Sequence, residues 1–114
     1  MSLTIKMREQ DGAVIVDLDG RLTLGEATGM LRETIRDLIA KKKTNIVLNF
    51  KNLEYMDSAG LGELVSAYTT AKNAGGQVKM VNVWGRALDL LQVTKLMTLF
   101  ELYDSEDDAV KSFG

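Results

Sequence analysis

Ser58 stands between an acid and a run of small residues in Asp57-Ser58-Ala59-Gly60-Leu61-Gly62, directly before apolar positions at helical spacing. An acid, a hydroxyl and two glycines at such a junction suit three chemistries: a nucleophile elbow, a phosphate-cradling loop, or a hydroxyl offered to another protein. The elbow needs a base. The chain contains no histidine and no cysteine, so imidazole, thiolate and the usual nitrogen and sulfur metal ligands are all missing. Met56 occupies the place of an elbow's first glycine, and no imidazole exists to activate Ser58. The expectation is a protein that is not an enzyme, with no catalytic residue, no metal and no cofactor.

The phosphate loop fares little better. Gly60 and Gly62 supply two glycines, but the third of the dinucleotide fingerprint falls on Val65, and no Gly-Lys-Ser or Gly-Lys-Thr exists for a P-loop. A phospho-accepting receiver needs an acid pair after the first strand of the parallel sheet and a phospho-accepting aspartate after a later strand, and Asp17 and Asp19, which flank Leu18 within a strand, are a poor match to that arrangement. Backbone donors at a helix start still allow a nucleotide or other anion to sit beside Ser58, and that alternative stays open. As a plain structural device, Asp57 or Ser58 is a helix N-cap, and Gly60 and Gly62 permit close packing.

The elements that must position this serine follow from periodicity. Leu3, Ile5 and Met7 alternate with polar residues, and Asp11-Gly12 turns the chain into Val14, Val16 and Leu18, which reads as an antiparallel hairpin. The period then lengthens: Ala27, Met30, Leu31, Thr34, Ile35, Leu38 and Ile39 share one helix face, with Thr23-Leu24-Gly25-Glu26 as its capping box and Lys41 to Lys43 at its end. A strand through Ile46, Leu48 and Phe50 leads to Ser58. A second helix follows through Leu61, Leu64, Val65, Tyr68 and Ala71, stopped by Ala74-Gly75-Gly76. Next come a strand from Gln77 to Val83, a short helix from about Gly85 to Thr94, a short edge strand from Phe100 to Tyr103, and a terminal helix capped at Ser105.

Alternating strands and helices imply right-handed crossovers and a mostly parallel sheet. The fold class is α/β, a mixed sheet of four to five strands with four helices. Asp17, Asn45, Asn49 and Lys79 fall on the off face of their strands, so the helices are expected mainly on one face, with the other partly wet. In that sheet Trp84 and Arg86 leave on the same edge as Ser58, where partners of open sheets bind. An exposed Trp beside an Arg suits an interface anchor, although a Trp is more often buried, and the spacing leaves both open. The stretch LDLLQVTKLMTLF holds more large apolar residues than one helix face buries, which leaves Leu90 or Met97 as candidates for exposure.

At 114 residues the chain is expected to be a single domain, 1–114, able to bury a core without cross-links. A net charge of −2 offers no broad basic surface, so nucleic acid is not expected as a partner. No apolar run reaches bilayer-spanning length, and Met1 to Lys6 alternate like a strand instead of forming a signal peptide. No membrane partner and a cytoplasmic location are the expectation, and the absence of cysteine fits a reducing compartment.

The segments GRLTLGEATGMLRETI and NIVLNFKNLEYMDSAGLGELVSAYTTAKNAGGQVKMVNV resemble the STAS domains of bacterial anti-sigma factor antagonists, from about Val14 to Phe100. The Asp-Ser-x-Gly-Leu-Gly run is the most specific part. The resemblance implies that Ser58 is a phosphorylation site, and that Asp57, Ser58, Ala59, Gly60, Leu61 and Gly62 meet a partner, with Thr23, Trp84 and Arg86 as further partner-binding candidates. It also implies the partners: an anti-sigma factor that is a serine kinase, bound when Ser58 is unphosphorylated, and a PP2C-type phosphatase that restores the serine. Where many relatives carry Asp before the first helix this chain has Thr23, expected here to serve as the helix cap. Ala59 replaces a second serine and leaves Ser58 the one hydroxyl in its loop.

Overall fold

The computed structural model describes residues 3–113, so Met1 and Ser2, at the head of the first alternation, lie outside the described residues. Strands β1 (Leu3–Gln10) and β2 (Ala13–Leu22) form the expected antiparallel hairpin. Asp11 and Gly12 both take positive φ, 50° and 84°, the mirror-image turn whose twist matches that of the flanking strands. Helix α1 (Glu26–Ala40) crosses to β3 (Asn45–Met56), and α2 (Ser58–Asn73) crosses to β4 (Gln77–Val81). Helix α3 (Gly85–Val93), a 3₁₀ turn at Leu96–Thr98, β5 (Glu101–Tyr103) and α4 (Glu106–Lys111) complete the chain. The sheet order is β1-β2-β3-β4-β5, parallel throughout except for β1 at its edge.

The helix ends follow the sequence's cues to different degrees. At the end of α2, Gly75 takes φ 86°, its N–H bonds Lys72 O, and Gly76 N–H bonds Ala71 O, a left-handed cap as expected. The same pair of bonds closes α1, from Lys42 to Ile39 O and from Lys43 to Leu38 O, with Lys42 at φ 62°. β4 stops two residues short of the expected Val83, because Asn82 turns to φ 59°.

The start of α1 corrects the sequence reading. Its N-cap is Gly25 at φ 117°, not Thr23, and Gly25 N–H donates to Thr28 Oγ1 at 3.2 Å. A glycine fits that left-handed position without the strain a β-branched threonine would suffer, and Thr28 then supplies the hydroxyl.

Helices α1, α2 and α3 cover one sheet face. There Val14, Val16, Leu18, Ile46, Leu48, Phe50, Val78 and Met80 form the main core with Leu31, Ile35, Leu64 and Leu91. The short α4 lies on the other face, where Ala109 and Val110 pack against Ala13, Ile15, Val47 and Val81. That second face is drier than periodicity suggested: Asn49 and Lys79 are buried, while Asp17 and Asn45 are half-buried. The polar groups of Asp17, Asn49 and Lys79 are hydrogen-bonded within the protein. Arg8 grips Asp17 through two nitrogens at 2.7 and 2.8 Å and Glu106 through two at 3.0 Å, and Asn49 Nδ2 donates to Asp17 at 2.8 Å. Lys79 donates to Glu101 at 3.1 Å, with the rings of Tyr103 and Phe113 at 5.6 and 4.8 Å. Bonded in this way, buried polar groups avoid the cost of lost hydration.

Candidate functional site

β3 runs past its neighbours. Its pairing with β4 ends at Asn49, whereas its pairing with β2 continues to Met56. Two irregularities mark the extension, because Asp17 to Asp19 on β2 match Asn49 to Asn52 on β3, and Gly20 to Arg21 match Leu53 to Tyr55. At the first bulge Lys51 N–H is taken by Asn49 Oδ1 at 3.1 Å. The carbonyls of Phe50 and Lys51 accept from the Trp84 indole at 2.9 and 3.1 Å. The carboxyl edge is therefore stepped, with Ser58 carried forward on the long strand.

Asp57 is the N-cap of α2, in extended backbone with φ −101°. Its Oδ1 accepts from Gly60 N–H at 2.9 Å, the usual cap. Its Oδ2 accepts from Leu24 N–H at 3.0 Å, across the gap to the β2–α1 loop. Asp57 N–H also donates to Leu22 O at 3.3 Å. One aspartate thus fastens the end of β2 to the start of α2. Partial desolvation works to raise its pKa. The backbone N–H groups of Gly60, Leu24, Ala59 and Asp57 itself outweigh that effect and hold the carboxyl below the usual aspartate value of 3.8. At neutral pH the site therefore carries a fixed negative charge.

Ser58 is the first helical residue and is exposed. Gly62, one turn later on the same flank, is exposed too, and a Cβ added there would meet nothing within 4 Å. Gly60 is the opposite case: a Cβ would lie 2.4 Å from Leu22 O and 2.9 Å from the side chains of Leu22 and Met56. The sequence reading assigned tight packing to both glycines, and only Gly60 has it. Leu61 is buried and Ala59 half-buried.

Of the remaining candidates, Thr23 is half-buried in the β2–α1 loop, next to the Leu24 that Asp57 holds. Trp84 is 47% exposed, so it is neither core nor free: its N–H is spent on the β3 bulge and its ring faces out. Arg86 is exposed beside it. The stepped edge separates this pair from Ser58 by the five residues of β3 beyond Lys51, Asn52 to Met56, roughly 16 Å of strand. The site is thus two patches, one around Ser58 and one around Trp84. Leu90 is half-buried against the core, whereas Met97 and Val93 are exposed. Sequence reasoning passed over Leu24, which is 78% exposed between Thr23 and Gly25. Its only signal was a large apolar residue outside any periodic pattern.

Among the described residues, no group of three or more acidic, histidine or cysteine side chains is placed to hold a metal. No helix among them is long and apolar enough to cross a membrane.

Two further carboxylates share Asp57's depressed state, which gives the fold an acid limit. Asp17 is held down chiefly by its hydrogen bonds from Arg8, and Glu101 by those from Tyr103 and Lys79. Each folded pKa lies below its unfolded value, near 3.8 for Asp and 4.5 for Glu, so each contributes stability above that value and loses it as pH falls through the folded one. The urea midpoint should be nearly flat from about pH 7 to about pH 5 and fall steeply below about pH 4, with a shallower fall in Asp57→Asn. A midpoint that rises on acidification would contradict the assigned directions.

A five-stranded mixed sheet whose strand-to-helix junction displays an Asp-Ser pair at a helix start defines a recognisable class. The family model described as STAS domain matches residues 4–109, and the chain belongs to that family. Among its relatives is an anti-sigma F factor antagonist of Paenibacillus polymyxa, 32% identical over 96% of this chain and 94% of that protein. A Thermotoga maritima protein of known crystal structure superposes with a TM-score of 0.88 at 22% identity, covering 96% of this chain and 93% of that one. The Bacillus cell fate determinant SpoIIAA in its phosphorylated form superposes with a TM-score of 0.74 at 22% identity, covering 96% and 98%. At such identities the two superpositions speak for the fold alone.

Proposed function

We propose that this protein is an anti-sigma factor antagonist, a binding module switched by phosphorylation of Ser58. Unphosphorylated, it binds an anti-sigma factor that is also a serine kinase. Phosphorylated, it lets go, and a PP2C-type phosphatase resets it. The observation that carries this reading is Ser58 itself: an exposed hydroxyl on a rigid helix start, beside a carboxylate whose oxygens are both committed to backbone N–H groups. With its pKa held down by those bonds, that carboxylate is a weak base at neutral pH. Ser58 is then a substrate, and the kinase supplies base, magnesium and ATP in the cytoplasm.

The anion-binding alternative meets an electrostatic objection. Asp57 already fills the positive end of α2 with a negative charge, so a nucleotide phosphate there gains from the dipole and loses to the neighbouring carboxylate. The alternative remains testable by saturable nucleotide binding that Gly60 variants lose.

The test is the intact mass of the protein recovered from its native cells, with a Ser58→Ala variant alongside. A fraction carrying one phosphate, missing in the variant, is expected. An unmodified mass across growth states would overturn the switch and leave a constitutive binding module.

A further inference from the structure

We propose that Asp57 is a positioning residue that presents Leu24 and Ser58 as one docking surface, with Leu24 as the apolar anchor for the anti-sigma factor kinase. This deepens the functional reading above and rests on it.

A lone exposed leucine usually needs no explanation. Leu24 differs in how it is held. The loop from Thr23 to Gly25 is fixed at three points: Asp57 N–H on Leu22 O at 3.3 Å, Leu24 N–H on Asp57 Oδ2 at 3.0 Å, and Gly25 N–H on Thr28 Oγ1 at 3.2 Å. The side chain nevertheless stays 78% exposed. An apolar group on a fixed backbone loses little freedom when a partner covers it, which is what makes a good anchor.

The occupant follows from proximity. One carboxylate spans the Leu24 and Gly60 backbones, so Leu24 and the Ser58 turn are direct neighbours. A stable protein partner covers roughly 800 Å² on each side. Any kinase that seats Ser58 in its active site therefore also covers Leu24. Gly62, exposed and needed by no internal contact, leaves the adjoining flank of α2 smooth for the same partner. Among the described residues, the other exposed large apolar side chains, Met7, Trp84, Val93 and Met97, have no such tie to Asp57.

The experiment is a double-mutant cycle in affinity, using the purified anti-sigma factor kinases of the host titrated one at a time with the full chain. Leu24→Ala should weaken binding about tenfold or more with an unchanged thermal midpoint, and Leu24→Met should stay within about threefold of the parent. Asp57→Asn should weaken binding in the Leu24 background and add less than about twofold in the Leu24→Ala background, because its effect runs through Leu24. A merely structural Asp57 would give additive losses, which overturns the positioning role. Leu24→Ala binding as tightly as the parent overturns the anchor and leaves the antagonist reading standing. No kinase binding the parent chain at all overturns the antagonist reading itself.

Discussion

Gly60→Ala should lower stability by about 2–3 kcal/mol, while Gly62→Ala, two residues along the same helix, should raise it by about 0.5–1 kcal/mol. Helix propensity favours alanine equally at both positions. The surroundings decide the sign. At Gly60 the new Cβ would sit 2.4 Å from a backbone oxygen, Leu22 O, which cannot rotate away because its own strand is paired with β3. The helix must back off, and the Asp57 bond to Leu24 is in the path of that movement. At Gly62 nothing lies within 4 Å. Thermal unfolding of the two variants reads the contrast directly: Gly60→Ala should melt about 10 °C lower and Gly62→Ala a few degrees higher. Equal midpoints would show that the close approach of α2 to β2 is not a constraint.

The second large effect belongs to the proposed switch. One phosphoryl group on Ser58 should weaken kinase binding about a hundredfold or more and leave the fold intact. The group brings roughly −1.5 to −2 charges beside Asp57, whose carboxylate is pinned by backbone donors and cannot retreat. In the free protein the dipole of α2 offsets part of the repulsion, by about 0.3–1 kcal/mol, and water screens the rest. In a complex the water is gone, and like charges brought together there cost several kcal/mol. The penalty thus falls on the bound state. Ser58→Ala should bind within about threefold of the parent, since it adds no charge and exchanges an exposed hydroxyl for a methyl.

Much of this was legible from residue order. Asp11-Gly12 named the hairpin, Ala74-Gly75-Gly76 the end of α2, and Ser105 the cap of α4, because each is a local event decided by a few neighbouring residues. The position of Ser58 at a helix start was legible for the same reason. What escaped were contacts between segments distant in the chain. The bond from Asp57 to Leu24 joins residues 33 apart, and nothing in either segment announces it. The cap falls on Gly25 instead of Thr23, at a positive φ that a β-branched threonine would adopt only with strain. Asn49 and Lys79 looked like markers of a wet face, yet they are covered by a six-residue helix from the far end of the chain, whose Glu106 reaches back to Arg8. The β3 bulges, which set Trp84 back from Ser58, likewise arise from pairing between strands.

On the proposed reading, Ser58 phosphorylation controls partner binding by charge on a preformed surface. The measurement that reaches it most directly is a calorimetric titration of the anti-sigma factor kinase with unphosphorylated and with stoichiometrically phosphorylated protein, at low and at physiological salt. Tight binding of the first form is expected. A loss of about a hundredfold or more is expected for the second, with thermal midpoints within a few degrees of each other. Equal affinities for the two forms would contradict it.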